Sequence, residues 1–455
     1  MNKLSKRAWL TMVLALVLLG GLVVILVQYG VNASKWAAYR TVALADTPDY
    51  GGDRYSVYDR SGTFLLEKDQ GRTYSDDPTL RRSLLHVLGD NRLQVQRVIL
   101  EEYSDDLIGY DRFGGSFRAG TKEGSMRLTL SARVQIAAQD ALAGKKGVVG
   151  VYNYQTGEIL CMVSSPNYDP TDPPEIDEEA PEFEAIFVNR FTGSSYIPGS
   201  IFKVVTAAAA LEEIADIEER RFLCEGSIQV DGEMIVCNGV HGEVDLQEAL
   251  CRSCNVAFAQ ITLELGAETL TDYARKLGIC DSLSFDGYDT RKGNIDLKDA
   301  GHQSIAWAGI GQYNDLINPC QFMTLMGAIA NGGVTAEPYL VQEVRYGDAI
   351  RYEQGHSPTH RVLSQETADR LAEIMHYAVV NNYGEWYFSG LYAGAKSGTA
   401  EQGEGDNDAL FAGFSQDPDY PLAFIVIVEG GGAGSTTCTP IVKQVLDSCV
   451  VELDS

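Results

Sequence analysis

Ser200 and Lys203, in the run Pro198-Gly199-Ser200-Ile201-Phe202-Lys203, set a hydroxyl and an amine one helical turn apart. Residues at i and i+3 share a helix face, so the two can form a nucleophile–base pair that needs no histidine. An amine acts as a base only when neutral. Desolvation beside an apolar helix and the positive end of the helix dipole would each lower its pKa. Against this stands a plainer reading: Ser-x-x-Lys arises by chance, and serine is a common helix N-cap.

The element that must hold the pair is Val204-Val205-Thr206-Ala207-Ala208-Ala209-Ala210-Leu211-Glu212, which reads as a buried helix whose small residues let neighbours approach closely. Two more motifs follow downstream, Ser253-Cys254-Asn255 and Lys396-Ser397-Gly398-Thr399. Ser-x-x-Lys, Ser-x-Asn and Lys-Ser/Thr-Gly in this order mark the serine penicillin-recognising enzymes. The chain resembles a penicillin-binding protein transpeptidase of the class B type, a monofunctional D,D-transpeptidase.

Further stretches carry the resemblance over most of the chain. Val149-Gly150-Val151-Tyr152-Asn153-Tyr154-Gln155-Thr156-Gly157-Glu158-Ile159-Leu160 looks like the family's first strand pair, turning at Gln155-Thr156-Gly157. Asn189-Arg190, Gly309-Ile310-Gly311-Gln312, Asn318-Pro319 and Ala328-Ile329-Ala330-Asn331-Gly332-Gly333 are similar to family segments around the motifs. Phe411-Ala412-Gly413-Phe414 and Ala423-Phe424-Ile425-Val426-Ile427-Val428 look like the strands after the third motif. The chain departs from the pattern at Tyr313, where many relatives have Gly, and at Asp408-Ala409-Leu410-Phe411, where relatives often have His-Ala-Trp-Phe. Cys254 and Ser397 replace the Asp and Thr of β-lactamase motifs, which favours a crosslinking enzyme over a β-lactamase.

The resemblance implies an α+β transpeptidase/β-lactamase-like fold, an antiparallel sheet flanked by helices, with a closing helix after Pro440. It implies Ser200 as nucleophile toward a peptidoglycan stem peptide ending in D-Ala-D-Ala, with Lys203 as base and Ser253 as proton relay to the leaving amine. Asn255 would hold Lys203 and the stem peptide, accepting from one and donating to the other. Strand alternation puts Ser397 and Thr399 on one face and Lys396 and Gly398 on the other. Ser397 and Thr399 would grip the terminal carboxylate, Lys396 would add charge from beneath, and Gly398 would let backbone pass close. The N–H groups of Ser200 and Thr399 would form the oxyanion hole.

Residues 8–27 carry no charge, enough at ~1.5 Å per residue to cross a hydrocarbon core of roughly 30 Å. Lys3, Lys6 and Arg7 precede them, so the positive-inside rule predicts a cytoplasmic N-terminus (1–7), an anchor (8–30) and an extracytoplasmic remainder. A cleaved signal peptide, the alternative, has an apolar core of only ~7–15 residues. Residues 36–125 resemble a reduced, pedestal-like N-terminal module, with a strand, turn and strand in Tyr55-Ser56-Val57-Tyr58-Asp59-Arg60-Ser61-Gly62-Thr63-Phe64-Leu65-Leu66. They look too short for a glycosyltransferase. Residues 126–455 then form the transpeptidase domain, and residues 168–184, rich in Pro, Asp and Glu, read as a loop before the nucleophile.

A net charge of -27 argues against a nucleic-acid partner. Nine cysteines in an exported domain raise disulfides or metal. Cys224 and Cys237 flank a hairpin over Ser227-Ile228-Gln229-Val230-Asp231-Gly232-Glu233-Met234-Ile235-Val236, which leaves a bridge between them open. Cys251-Arg252-Ser253-Cys254 imitates a Cys-x-x-Cys site, but no second pair exists and Ser253 has another role. The expectation is therefore no metal and no cofactor. β-Lactams and stem peptides are the expected ligands, and a polytopic glycan polymerase is a possible partner that family resemblance suggests. The competing readings are a D,D-carboxypeptidase or β-lactamase of the same fold, in which water resolves the acyl-enzyme, and a non-catalytic sensor or scaffold, whose mark would be a broken motif.

Overall fold

The computed structural model describes residues 2–44, 54–69, 71–96, 98–111, 116–117, 122–177, 179–403 and 406–454. Helix α1 (Asn2–Leu44) contains the uncharged stretch Ala8–Tyr29, 22 residues that bury nothing against the rest of the protein. By length and composition this stretch can cross a membrane.

Strands β1 (Tyr55–Tyr58), β2 (Phe64–Lys68) and β3 (Arg72–Tyr74) come next, and β4 (Gly124–Leu128) leads into helix α2 (Ala132–Leu142). The hairpin β5 (Gly147–Asn153) and β6 (Ile159–Ser165) turns at Gln155-Thr156-Gly157, as read from the sequence. Helix α3 (Lys203–Glu213) is followed by four short strands, β7 (Phe222–Cys224), β8 (Ser227–Val230), β9 (Glu233–Val236) and β10 (Gly242–Val244). Then come α4 (Leu246–Cys251), α5 (Asn255–Lys276) and α6 (Pro319–Ala330), and strands β11 (Val341–Tyr346) and β12 (Ala349–Glu353). Helix α7 (Gln365–Ala378), strands β13 (Ala393–Ala400), β14 (Asp408–Ser415) and β15 (Leu422–Val428), and helix α8 (Gly434–Leu453) complete the chain.

Two sheets organise these elements. The first is six-stranded, in the order β12-β11-β4-β1-β2-β3, and joins strands that precede α2 to the distant pair β11 and β12. The second is five-stranded and antiparallel throughout, in the order β13-β14-β15-β5-β6. Its central strands are apolar along their length because both faces are covered. On β15 the alternation is strict: Phe424, Val426 and Val428 meet α2 and α8, whereas Ala423, Ile425 and Ile427 join the core containing α6. Phe322, Met323 and Met326 of α6 are buried among the latter, and eleven of that helix's twelve residues are buried, as expected of a helix apolar on all sides. Strand β13 forms the sheet's edge, and its free side faces the turn Gly199–Phe202 that leads into α3.

The closing helix starts earlier than expected. α8 begins at Gly434 and carries Pro440 inside it. A proline in a helix interior costs about 3 kcal/mol through its lost N–H. Burial of Cys438, Ile441, Val442, Val445 and Leu446 along one face offsets that cost.

Phe411 on β14 binds the outer layer to the site. Its ring stacks on Phe424 at 6.5 Å between centroids and meets Tyr383 edge-on at 5.0 Å. Phe411→Ala should lower unfolding stability by about 3–5 kcal/mol, read as a shifted denaturant midpoint for the full chain in detergent. A shift near zero would show that this cluster is not structural.

Candidate active site

Ser200 sits on a tight turn wedged against β13. Gly199 has φ +51, and a Cβ there would come within 2.5 Å of Thr399 O. A Cβ at Gly398 would in turn come within 2.9 Å of Pro198 O. Only glycine on both sides lets the two backbones approach this closely. Ser200 lies in the single 3-10 turn Gly199–Phe202, and Lys203 opens α3.

Lys203 is wholly buried, yet its amine is surrounded by oxygen. Nζ lies 2.9 Å from Ser200 Oγ, 2.8 Å from Ser253 O, 3.0 Å from Ser253 Oγ and 2.7 Å from Asn255 Oδ1. Burial pulls its pKa down to about 7, against a smaller upward pull from the Cys237 and Cys254 sulfurs. A neutral amine keeps two N–H donors and one lone pair. Asn255 Oδ1 and Ser253 O can take the donors, and the lone pair is left for the Ser200 hydroxyl.

Ser253 has φ +54, a left-handed conformation unusual for a residue with a side chain. It stands just before α5, where Cys254 is the N-cap, its sulfur accepting from Ala257 N–H. This bend holds Ser253 Oγ between two amines, 3.0 Å from Lys203 Nζ and 3.1 Å from Lys396 Nζ. Lys396 is also fully buried and donates to Ser397 O at 2.7 Å. Its pKa is pushed well below the lysine range, by burial first and then by the nearby Lys203 charge.

The structure therefore brings Ser200, Lys203, Ser253, Asn255 and Lys396 into one connected network. Asn255 differs in one respect from its expected use: Nδ2 donates to Val236 O at 2.8 Å. One of its two amide hydrogens thus braces β9, leaving the other for a ligand. On β13, Lys396 and Gly398 point inward, Ser397 is half-buried and Thr399 is exposed, as alternation predicts. Thr399 lines a cleft of about 270 Å³ together with Ser200, Asn255, Val236, Cys237, Asn238, Trp307, Ile310, Gln312 and Glu401.

The sequence motifs do not mark several residues that shape the site. Tyr383 is the most consequential: its hydroxyl accepts from Ser397 N–H at 2.9 Å and pairs with Ser397 Oγ at 3.0 Å. It occupies part of the free edge of β13, so that the Ser397 hydroxyl is already partnered. No local signal points to it, since Tyr383 reaches the strand only through the π-helical turn Val379–Tyr383 after α7. Gln312, from the Gly309-Ile310-Gly311-Gln312 segment already read in the sequence, meets the far rim, its Oε1 accepting from Glu401 N–H at 3.3 Å. The departure at Asp408 serves the local structure. Its carboxylate accepts from Gly430 N–H at 2.9 Å and from Gln402 at 2.5 Å, tying together the loops around β14.

No disulfide joins Cys224 and Cys237, and the other seven cysteines are unbridged as well. Cys237 N–H bonds to Gly226 O, whereas Cys224 is paired with Gly242. The hairpin register therefore sets neither cysteine directly opposite the other.

A serine beside two buried lysines, on the edge of an antiparallel sheet flanked by helices, defines a penicillin-recognising serine fold. Residues 147–447 match the penicillin binding protein transpeptidase domain, and the chain belongs to that family. It is 28% identical over 409 residues to the peptidoglycan D,D-transpeptidase PbpA of Mycobacterium tuberculosis, covering 80% of this chain and 82% of that protein. It is 28% identical over 411 residues to the stage V sporulation protein D of Bacillus subtilis, covering 81% of this chain and 63% of that one. Among solved structures, the D,D-transpeptidase domain of a peptidoglycan glycosyltransferase from Eggerthella lenta superposes with a TM-score of 0.77 at 26% identity, over 89% of this chain and 99% of that one. The ceftriaxone acyl-enzyme of M. tuberculosis penicillin-binding protein A gives 0.76 at 26% identity, over 88% and 99%.

The lowered pKa of Lys203 has a kinetic consequence. Its neutral form predominates above about pH 7, whereas an ordinary lysine would stay protonated there. Acylation by a fluorescent penicillin should fall about tenfold per pH unit below that point and level off above it. A rate still climbing at pH 9 would contradict a neutral Lys203.

Proposed function

We propose that this chain is a membrane-anchored D,D-transpeptidase that crosslinks peptidoglycan stem peptides through an acyl-enzyme on Ser200 and binds β-lactams at the same serine. The observation that carries this reading is the unbroken circuit Ser200–Lys203–Ser253–Lys396, with links of 2.9, 3.0 and 3.1 Å. A non-reacting scaffold has no need of such a circuit.

Lys203 takes the proton as Ser200 Oγ forms its bond to the carbonyl carbon of the penultimate D-Ala. The oxyanion is held by the N–H groups of Ser200 and Thr399, where loss of one such donor elsewhere costs about 2.7–4 kcal/mol. The C–N bond then breaks, and Ser253 passes a proton to the departing D-Ala amine, supplied from the lysine pair. An acceptor amine from a second stem peptide repeats the steps in reverse and leaves with the acyl group. Asn255 holds the donor peptide, and Thr399 binds its carboxylate together with Ser397, whose hydroxyl can donate to it while accepting from Tyr383; the arriving negative charge favours the charged form of Lys396 beneath, and Gly398 lets the backbone pass close.

The reading is supported by the relatives named D,D-transpeptidases and by the solved acyl-enzyme of a similar protein with ceftriaxone. The apolar stretch Ala8–Tyr29, preceded by Lys3, Lys6 and Arg7, supports a single-pass anchor with the N-terminus in the cytoplasm. Residues 36–125 then act as a pedestal for residues 126–455, and the anchor and pedestal are the surfaces offered to a glycan polymerase.

Two experiments test this. Ser200→Ala should abolish covalent fluorescent penicillin labelling of the full chain, and equal labelling of variant and wild type would refute the nucleophile. With a donor peptide and an amine acceptor, a new amide product is expected alongside free D-Ala. Release of D-Ala without that amide would instead make the protein a carboxypeptidase.

A further inference from the structure

Four side chains that the acyl-transfer chemistry leaves unused converge beneath the second motif. Cys224 ends β7, Cys237 follows β9, His241 precedes β10, and Cys254 is the middle residue of Ser253-Cys254-Asn255. Their three sulfurs and one imidazole nitrogen all lie within 4.8 Å of one another. Cys237 Sγ is 3.9 Å from Cys254 Sγ and 3.6 Å from His241 Nδ1.

These separations can be compared with the two arrangements such residues adopt. A disulfide needs sulfurs about 2.05 Å apart, roughly half the Cys237–Cys254 spacing. A tetrahedral zinc ion, with Zn–S about 2.3 Å and Zn–N about 2.0–2.1 Å, has S···S edges of about 3.8 Å and S···N edges of about 3.5 Å. The Cys237–Cys254 and Cys237–His241 spacings match two of the tetrahedron's edges, and the remaining ligand atoms lie within 4.8 Å.

The surroundings fit as well. Cys224 and Cys254 have no solvent exposure and Cys237 has 8%, so four protein ligands would close the site, as in structural rather than catalytic zinc centres. Two backbone amides are aimed at the sulfurs: Asn255 N–H at Cys237 Sγ, 3.2 Å, and Ala257 N–H at Cys254 Sγ, 3.4 Å. Hydrogen bonds of this kind orient and stabilise ligating groups. Cys251, the other half of the apparent Cys-x-x-Cys, is outside the cluster and packs into the core on α2 and α8.

We propose that Cys224, Cys237, His241 and Cys254 form a structural site for a tetrahedral, thiolate-preferring divalent cation of the zinc class. Binding converts three thiols to thiolates with release of three protons, while the imidazole contributes its Nδ1 lone pair. The ion joins β7, the segment after β9 and the head of α5. It thereby fixes Cys254 between Ser253 and Asn255, two groups that touch Lys203. Val236, next to Cys237, accepts from Asn255 Nδ2 and gives the same clamp a second hold. The metal is a positioning element for the second motif, not a participant in the chemistry. The inference stands on the cluster's own geometry and not on the transpeptidase reading.

The full chain, purified in detergent under a non-thiol reductant and loaded with Zn2+, should retain one equivalent of zinc after gel filtration. Loaded with Co2+ instead, it should show the intense visible d–d bands of tetrahedral cobalt and a sulfur-to-cobalt charge-transfer band. Cys224→Ser and His241→Ala should each reduce retained zinc at least tenfold, whereas Cys251→Ser should retain it in full. The wild-type cobalt spectrum does not depend on whether any variant folds. A wild-type chain that retains less than a tenth of an equivalent of zinc and gives an octahedral cobalt spectrum would overturn the proposal. So would a Cys224–Cys237 or Cys237–Cys254 disulfide, found by peptide mass mapping in chain isolated without reductant.

Discussion

Removing the Lys203 amine from water is the condition on which the rest of the site depends. A charged amine without solvent is costly, so burial lowers the pKa and leaves a base at neutral pH. Burial by itself would also leave the nitrogen unsatisfied, which is costly in its own right. The oxygens of Ser200, Ser253 and Asn255 meet that need, and each must be brought to the amine from a different part of the chain. The Ala-rich face of α3 is one solution to this demand. The small buried residues of α3 suit its packing against α5, whose first residue, Asn255, reaches Lys203.

A second consequence concerns backbone rather than side chains. A serine that is to act on a peptide held by an edge strand must lie beside that strand, and the Ser200 turn and β13 approach almost to contact. Glycines at 199 and 398 permit this. Tyr383 fills the free edge at Ser397 and so confines the open stretch to the neighbourhood of Thr399. The large sheet beneath is a rigid platform, with both faces buried and its edge left for function.

Motifs that work locally are legible in the chain directly. The Ser200–Lys203 spacing, the Ser253 and Asn255 triplet, the alternation along β13, the β5–β6 turn and the apolar N-terminal stretch all follow from rules that span a few residues. What is not legible depends on partners far away in sequence. Tyr383 reaches Ser397 through a π-helical turn, and Asn255 shares its amide with Val236 across a hairpin. Pro440 reads locally as a helix start because its cost inside a helix is large, whereas the burial that offsets it comes from a sheet formed elsewhere. The cysteines mislead for the same reason. A Cys-x-x-Cys spacing draws attention to Cys251, while the cluster is assembled from three elements whose register only folding defines.

Everything at the site turns on Lys203 staying neutral where lysines are normally charged. Full-length chain carrying [ε-13C]lysine, titrated by NMR in detergent with Lys203→Gln to assign the resonance, reads that protonation directly. The predicted result is a Lys203 titration near pH 7. A midpoint near the ordinary lysine value of about 10.4 would contradict it.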